Sequence, residues 1–219
     1  MPDTGYNLFC PLAKASEIIE PRWTLLILCE MWSGSRRFND IGRGVPGLSP
    51  TLLSRRLKEL EAKGMVMRDA DGYRTTVLAQ KLQPIVQALG QWAHENIDSK
   101  VTLQAQDSRL LMWNVRRKIR AELFPPRRSV VQFIFPEQDP ADRNYWLIAK
   151  PDCDTDLCTI DPGFEVDLFV EADLRTMTSV YMGQSSLADA LASGNIYLSG
   201  DDALAGSIQS WLRLSSFAA

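Results

Sequence analysis

Leu48-Ser49-Pro50-Thr51-Leu52-Leu53-Ser54-Arg55-Arg56-Leu57-Lys58-Glu59-Leu60-Glu61-Ala62-Lys63-Gly64 carries both ends of a helix in its own residues. Ser49 can cap the first turn and Pro50 suits the first helical position. Lys63-Gly64 supplies a basic last turn and a residue tolerant of left-handed backbone. Successive side chains about 100° apart put Leu53, Leu57 and Leu60 on one stripe. Thr51, Arg55 and Lys58 then fall on the opposite side, with Ser54 on its flank. Taken alone this is an amphipathic surface helix. A leucine seam backed by hydroxyls and cations also suits a helix lying in a DNA major groove.

The flanking sequence favours the second reading. Trp23 to Trp32 is almost continuously apolar and reads as a buried helix ended by Ser33-Gly34. A short helix around Asn39 to Gly42 follows, and Gly44-Val45-Pro46-Gly47 supplies the turn into Ser49. Short helix, glycine-bearing turn and basic helix form the helix-turn-helix order. Beyond Gly64, two short runs, Met65 to Arg68 and Tyr73 to Thr76, flank Asp69-Ala70-Asp71-Gly72, a hairpin signal. A hairpin placed directly after such a helix is a wing.

Charge is distributed in the same sense. The 219-residue chain has a formal net charge of −3, but residues 36–68 hold eight Lys/Arg against three acids. Residues 137–173 hold eleven acids against two bases. A local basic module beside an acidic one fits a DNA reader joined to a part that leaves DNA alone.

Residues 10–97 resemble the HxlR-type winged helix-turn-helix transcriptional regulators. The resemblance is carried by Cys10-Pro11, Trp23-Thr24-Leu25-Leu26-Ile27-Leu28, Arg36-Arg37-Phe38, Pro46-Gly47-Leu48-Ser49, Leu53-Ser54-Arg55-Arg56-Leu57, Leu60-Glu61 and Gly64-Met65-Val66. It implies a dimeric, cytoplasmic regulator of double-stranded DNA with residues 49–63 as the reader. The wing is shorter than is usual in that family. The expected DNA-binding set is Arg36, Arg37, Ser49, Thr51, Ser54, Arg55, Lys58, Lys63 and Arg74. Arg36, Arg37, Lys63 and Arg74 are assigned to phosphates, and Thr51, Ser54, Arg55 and Lys58 to base edges. Some members of the family sense oxidants through an N-terminal cysteine, and Cys10 stands at the matching place, so a thiol-based regulator is an alternative. A buried small apolar residue is the plainer role for it.

Leu78, Leu82, Ile85, Leu89 and Trp92 recur at a heptad-like interval, suited to pairing with a second copy. Pro84 predicts a kink or a fresh start near residue 83. A homodimer reading a roughly palindromic operator follows. The expected boundaries are 1–98 for the DNA-binding and dimerisation domain and 105–219 for a second domain, across a polar linker.

The second domain opens with a helix from Asp107-Ser108 to Phe124, stopped by Pro125-Pro126. Strands follow at Val130 to Phe135, Tyr145 to Ala149, Leu157 to Ile160 and Glu165 to Val170. Helices are predicted at Leu174 to Met182 and Ser186 to Ala192, a strand at Asn195 to Leu198, and a helix from Asp201 or Asp202 through Phe217. The whole is an α+β chain whose second half places helices on one face of a mostly antiparallel sheet. Asp167-Leu168-Phe169-Val170, Leu174-Arg175-Thr176-Met177, Leu187-Ala188-Asp189-Ala190 and Gly194-Asn195-Ile196-Tyr197-Leu198-Ser199-Gly200-Asp201 resemble a sterol-carrier-protein-like fold. That resemblance implies an apolar tunnel. Trp113, Phe133, Phe135, Trp146, Phe169, Tyr181, Tyr197 and Trp211 are the candidates to line a pocket for an apolar small-molecule effector, unless they form core. A lipid or acyl-chain carrier whose helical half only dimerises is the reading from a different class.

Other chemistry is sparse. His94 is the single histidine, the glycines are scattered, and Cys153 and Cys158 have no second pair, so no catalytic, metal or cofactor site is expected. An enzyme is not expected. No run of about 18 apolar residues marks a membrane span. Met1 to Gly5 lacks the basic start and apolar stretch of an export signal. The four scattered cysteines suit a reducing cytoplasm.

Overall fold

The computed structural model describes residues 5–150 and 153–218, apart from the side chains of Lys100 and Thr102. Residues 1–4, on which the export expectation rests, lie outside the described residues. The chain divides into two compact units, Met1–Trp92 and Ala93–Ala219.

In the first unit, α1 (Pro11–Ile19) starts at a proline in its first turn, with Cys10 at the N-cap. α2 (Thr24–Trp32) buries Ile27, Leu28 and Met31. It is entered through Trp23, held in the left-handed region at φ 82°. α3 (Phe38–Gly44) and α4 (Pro50–Ala62) follow. Ser49 accepts the Leu52 N–H at 3.3 Å, which is the cap its position predicts. Leu53, Leu57 and Leu60 of α4 are buried with Ile27, Leu28, Ile41, Val45 and Val66. Each fully buried leucine stabilises this core by roughly 1.5–3 kcal/mol.

β1 (Val66–Asp69) and β2 (Gly72–Thr75) form the antiparallel wing, with Asp69 opposite Gly72. The tight turn is therefore Ala70-Asp71, and Gly72 already belongs to the strand. Only glycine fits there: φ is 124°, and a Cβ would approach the Arg36 carbonyl oxygen to 2.5 Å. α5 (Val77–Asn96) is a single helix that runs through Pro84, so of the kink or fresh start expected near residue 83 the fresh start does not occur. Pro84 has no N–H to offer the Gln80 carbonyl four residues earlier, and both residues are exposed.

In the second unit, α6 (Ser99–Thr102) is a single turn, and Asp107 caps α7 (Ser108–Arg116) by accepting the Leu110 N–H. The predicted helix to Phe124 stops eight residues early. Arg120 turns its N–H to the Trp211 carbonyl at 3.0 Å, and Ala121–Leu123 makes only a 3-10 turn. Five strands follow: β3 (Ser129–Ile134), β4 (Asn144–Ala149), β5 (Asp156–Cys158), β6 (Leu168–Ala172) and β7 (Ile196–Gly200). Their order is β5-β4-β3-β6-β7, antiparallel except for the parallel pair β3 and β6.

α8 (Leu174–Tyr181) and α9 (Leu187–Ala192) stand between β6 and β7. The expected last helix through Phe217 is instead two short ones, α10 (Asp202–Gly206) and α11 (Ile208–Trp211). Ser207 breaks it: its hydroxyl donates back to the Ala203 carbonyl at 2.6 Å, and the Trp211 indole N–H takes the Leu204 carbonyl at 2.9 Å. Val131, Phe133, Tyr145, Leu147, Leu168, Val170 and Ile196 form the sheet's contribution to one core with these helices.

Candidate nucleic-acid interface

α4 turns its leucines inward and leaves Thr51, Arg55 and Lys58 exposed, with Ser54 half-buried beside them. Among the described residues, Thr51, Ser54 and Lys58 have no hydrogen bond or ion pair through their side chains. Arg55 meets Glu59 at 3.8 Å across an exposed i,i+4 pair, an interaction worth well under about 1 kcal/mol and readily exchanged. Arg56 differs. Its Nε donates to the Arg22 carbonyl at 3.1 Å and its guanidinium pairs with Glu59, so it braces the domain from within.

The residues assigned to phosphates separate into two groups. Arg37 is exposed at the N-cap of α3. Lys63 donates to the Glu17 carbonyl at 2.6 Å and ties the end of α4 to α1. Arg36 and Arg74 both meet Asp69: Arg36 Nη2 lies 3.1 Å from Oδ2, and Arg74 pairs with the same oxygen. Partial burial works against ionisation of Asp69, but the Asp71 N–H and the guanidiniums of Arg74 and Arg36 hold its carboxyl below the usual range. Ser49 is occupied as the α4 cap. The structure thus brings Thr51, Ser54, Arg55 and Lys58 onto one outward face, and engages Arg36, Lys63, Arg74 and Ser49 within the protein. Sequence reasoning missed the Glu17 carbonyl as the partner of Lys63, Asp69 as that of Arg36 and Arg74, and Glu59 as that of Arg55. Only Glu59, one helical turn from Arg55, had a local signal.

Cys10 is exposed at the start of α1. The backbone N–H groups of Ala13 and Leu12 lower its pKa, although the thiol falls short of full hydrogen-bond geometry with them. Burial raises the thiols of Cys29 and Cys158. All four cysteines are free.

The eight aromatic candidates of the second unit do not converge. Phe133, Phe135, Tyr181 and Trp211 belong to the core on the helix-covered side. By strand alternation Trp146, Phe169 and Tyr197 project from the opposite face of the sheet. Trp113 is buried under Arg116, whose guanidinium lies 4.0 Å from the ring centre. A groove of about 670 Å³ in this unit is polar, lined by Arg175, Thr176, Ser179, Gln184, Asp189 and Asn195 among others, and by none of those aromatics. Among the described residues no helix is long and apolar enough to cross a membrane.

A buried three-helix core, a helix α4 with an outward face of hydroxyls and cations, and a two-stranded wing define a winged helix-turn-helix protein of the DNA-binding regulator class. The chain belongs to the HxlR-like helix-turn-helix family, whose model matches residues 18–101. It is 40% identical over 97 residues to the HTH-type transcriptional regulator YvaP of Bacillus subtilis (strain 168), covering 41% of this chain and 90% of that protein. To the HTH-type transcriptional regulator YtfH of Escherichia coli (strain K12) it is 32% identical over 101 residues, 42% of this chain and 80% of that protein. The structure of quinone-bound YodB from B. subtilis matches at 33% identity and a TM-score of 0.37, covering 39% of this chain and 99% of that one.

Proposed function

We propose that this regulator works as a homodimer that reads a roughly palindromic operator with α4 of each copy, and that an apolar small molecule held in the second unit modulates it. The observation that carries the reading is the outward face of α4, where Thr51, Ser54 and Lys58 are uncommitted and Arg55 is held only by a loose exposed pair. Ile85 is 65% exposed and Leu89 51%, with Leu78 and Trp92 similarly open on α5, which supports a second copy against that helix. Paired readers would then sit about 34–36 Å apart or a multiple of it.

The test is selection of an operator from random duplexes, followed by Arg55→Ala. Loss of a bidentate arginine contact should cost about 1–3 kcal/mol and relax preference at one base pair per half-site. Unchanged affinity and preference would reject α4 as the reader. Native mass spectrometry of the purified protein reports subunit count and any co-purified molecule together.

A second reading, a thiol-based switch at Cys10, is favoured by its exposure and by the backbone N–H groups that lower its pKa. Cys10→Ser should abolish any oxidant-dependent change in DNA affinity. A response that survives the substitution removes this reading.

A further inference from the structure

The wing carries its own counter-charges. Asp69, at the end of β1, receives Arg36 from the loop before α3 at 3.1 and 3.3 Å, and Arg74 from the facing strand. It also accepts the Asp71 N–H at 2.9 Å. The hairpin is fastened to the same loop through the Tyr73 N–H, which donates to the Arg36 carbonyl at 2.8 Å. The third wing cation, Arg68, lies over the Tyr73 ring at 5.5 Å. Asp71, at the exposed tip, is 3.8 Å from Arg36. The hairpin itself therefore holds Arg68 and Arg74 against Asp69 and Asp71 and presents no net charge, while α4 presents Arg55 and Lys58.

We propose that Asp69 is a specificity-determining residue of the DNA interface: by keeping Arg36 and Arg74 on its carboxylate, it withholds the wing from the phosphate backbone. Phosphate contacts add affinity for any duplex and carry no sequence information, so a wing that declines them leaves discrimination to the face of α4. Moving either arginine to a phosphate would first break its ion pair and strip a carboxylate that is only 22% exposed. This proposal rests on α4 being the reader and gives the wing a negative role beside it.

The test measures binding of a random-sequence duplex and of the selected operator over a range of salt concentrations. Asp69→Asn keeps an acceptor for the Asp71 N–H but removes the charge that holds two cations. The random duplex should then bind at least about threefold tighter, with the slope of log K against log salt steeper by about 1–2, one to two added phosphate contacts. The operator should gain less, so the ratio of the two affinities falls. A folded Asp69→Asn protein whose affinity for the random duplex and slope are unchanged, or weaker, overturns the proposal. Should that variant fail to fold, Arg74→Gln decides. It should leave the random-duplex slope within about 0.5 of the wild type, and a loss of about one places Arg74 on a phosphate and overturns the proposal. Arg55→Ala is the separate control, because an intact operator preference there rejects α4 as reader whatever the wing variants do.

Discussion

The carboxylate of Glu30 occupies the space where a side chain at residue 44 would begin. A Cβ on Gly44 would lie 1.9 Å from Glu30 Cδ. Glu30 is 5% exposed, and its Oε1 accepts the Ser35 hydroxyl. α2 thus presents a buried, hydrogen-bonded carboxylate to the end of α3, and a side chain at residue 44 would have to displace it. Gly44→Ala should destabilise the first unit by about 2–3 kcal/mol, through overpacking and displacement of a bonded polar group. Gly42→Ala makes the contrast: its Cβ would meet Leu53 Cδ2 at 3.6 Å, ordinary contact, and stability should hold or rise slightly. Urea unfolding of the two variants checks both, and equal losses would contradict the account.

Trp211 closes the core of the second unit. It is fully buried, donates its indole N–H to the Leu204 carbonyl, and meets Phe124 edge-on at 5.2 Å. Trp211→Ala should cost about 3–5 kcal/mol. Tyr197, which is 62% exposed, should tolerate Ala within about 0.5 kcal/mol. Thermal unfolding followed by near-ultraviolet circular dichroism separates the two cases.

Alkaline pH should act on the second unit through Tyr181. Burial pushes this phenol up to about 12, with Arg117 opposing. A pKa raised above the ordinary value of about 10 means that the fold favours the neutral phenol. Its contribution is complete below pH 10 and is lost as pH rises through about 12. An ultraviolet titration should show a late tyrosinate step that coincides with unfolding. Tyr181→Phe should shrink that step, leaving the part that belongs to Tyr145, whose phenol burial also raises, and early, reversible ionisation of Tyr181 would contradict the burial argument.

Cys10 should be the first thiol to react. Its lowered pKa brings the thiolate in at lower pH, whereas burial delays Cys29 and Cys158. Reaction with an aromatic disulfide across pH should show a fast phase whose midpoint lies below that of a free cysteine. Cys10→Ala should delete this phase. If the fast phase persists, it belongs to Cys153, which is also exposed.

The apolar side of α5 gives a prediction about assembly. Ile85→Glu with Leu89→Glu should convert a dimer to a monomer in sedimentation equilibrium without loss of helix content. A wild-type protein that sediments as a monomer would contradict the pairing.

The helix α4 was legible because every local signal agreed: the Ser49-Pro50 start, the leucine spacing and the Lys63-Gly64 end all match what the fold buries and caps. The wing was legible from its two short runs, but the Asp71-Gly72 turn expected between them is Ala70-Asp71 in the structure, with Gly72 already in β2. What sequence could not show lies in pairings distant along the chain. Arg36 and Asp69 are thirty-three residues apart, and nothing near either names the other. The helix expected to reach Phe124 had a sound periodic pattern, but the Trp211 carbonyl claims the Arg120 N–H. The aromatics of the second unit were grouped by type, whereas register assigns them to sides. Phe133 lies opposite Tyr145, and Trp146, the next residue along, must project the other way.

Two hydrogen bonds reach from α4 to the segment that bears Cys10: Lys63 to the Glu17 carbonyl, and Arg56 to the Arg22 carbonyl. One grips the last turn of α1 and the other the link just after it. α4 and the residue that ends it are thereby tied at two points to α1 and to the link after it. If α4 reads a groove as proposed, any displacement of α1 would be carried to its outward face through these two bonds.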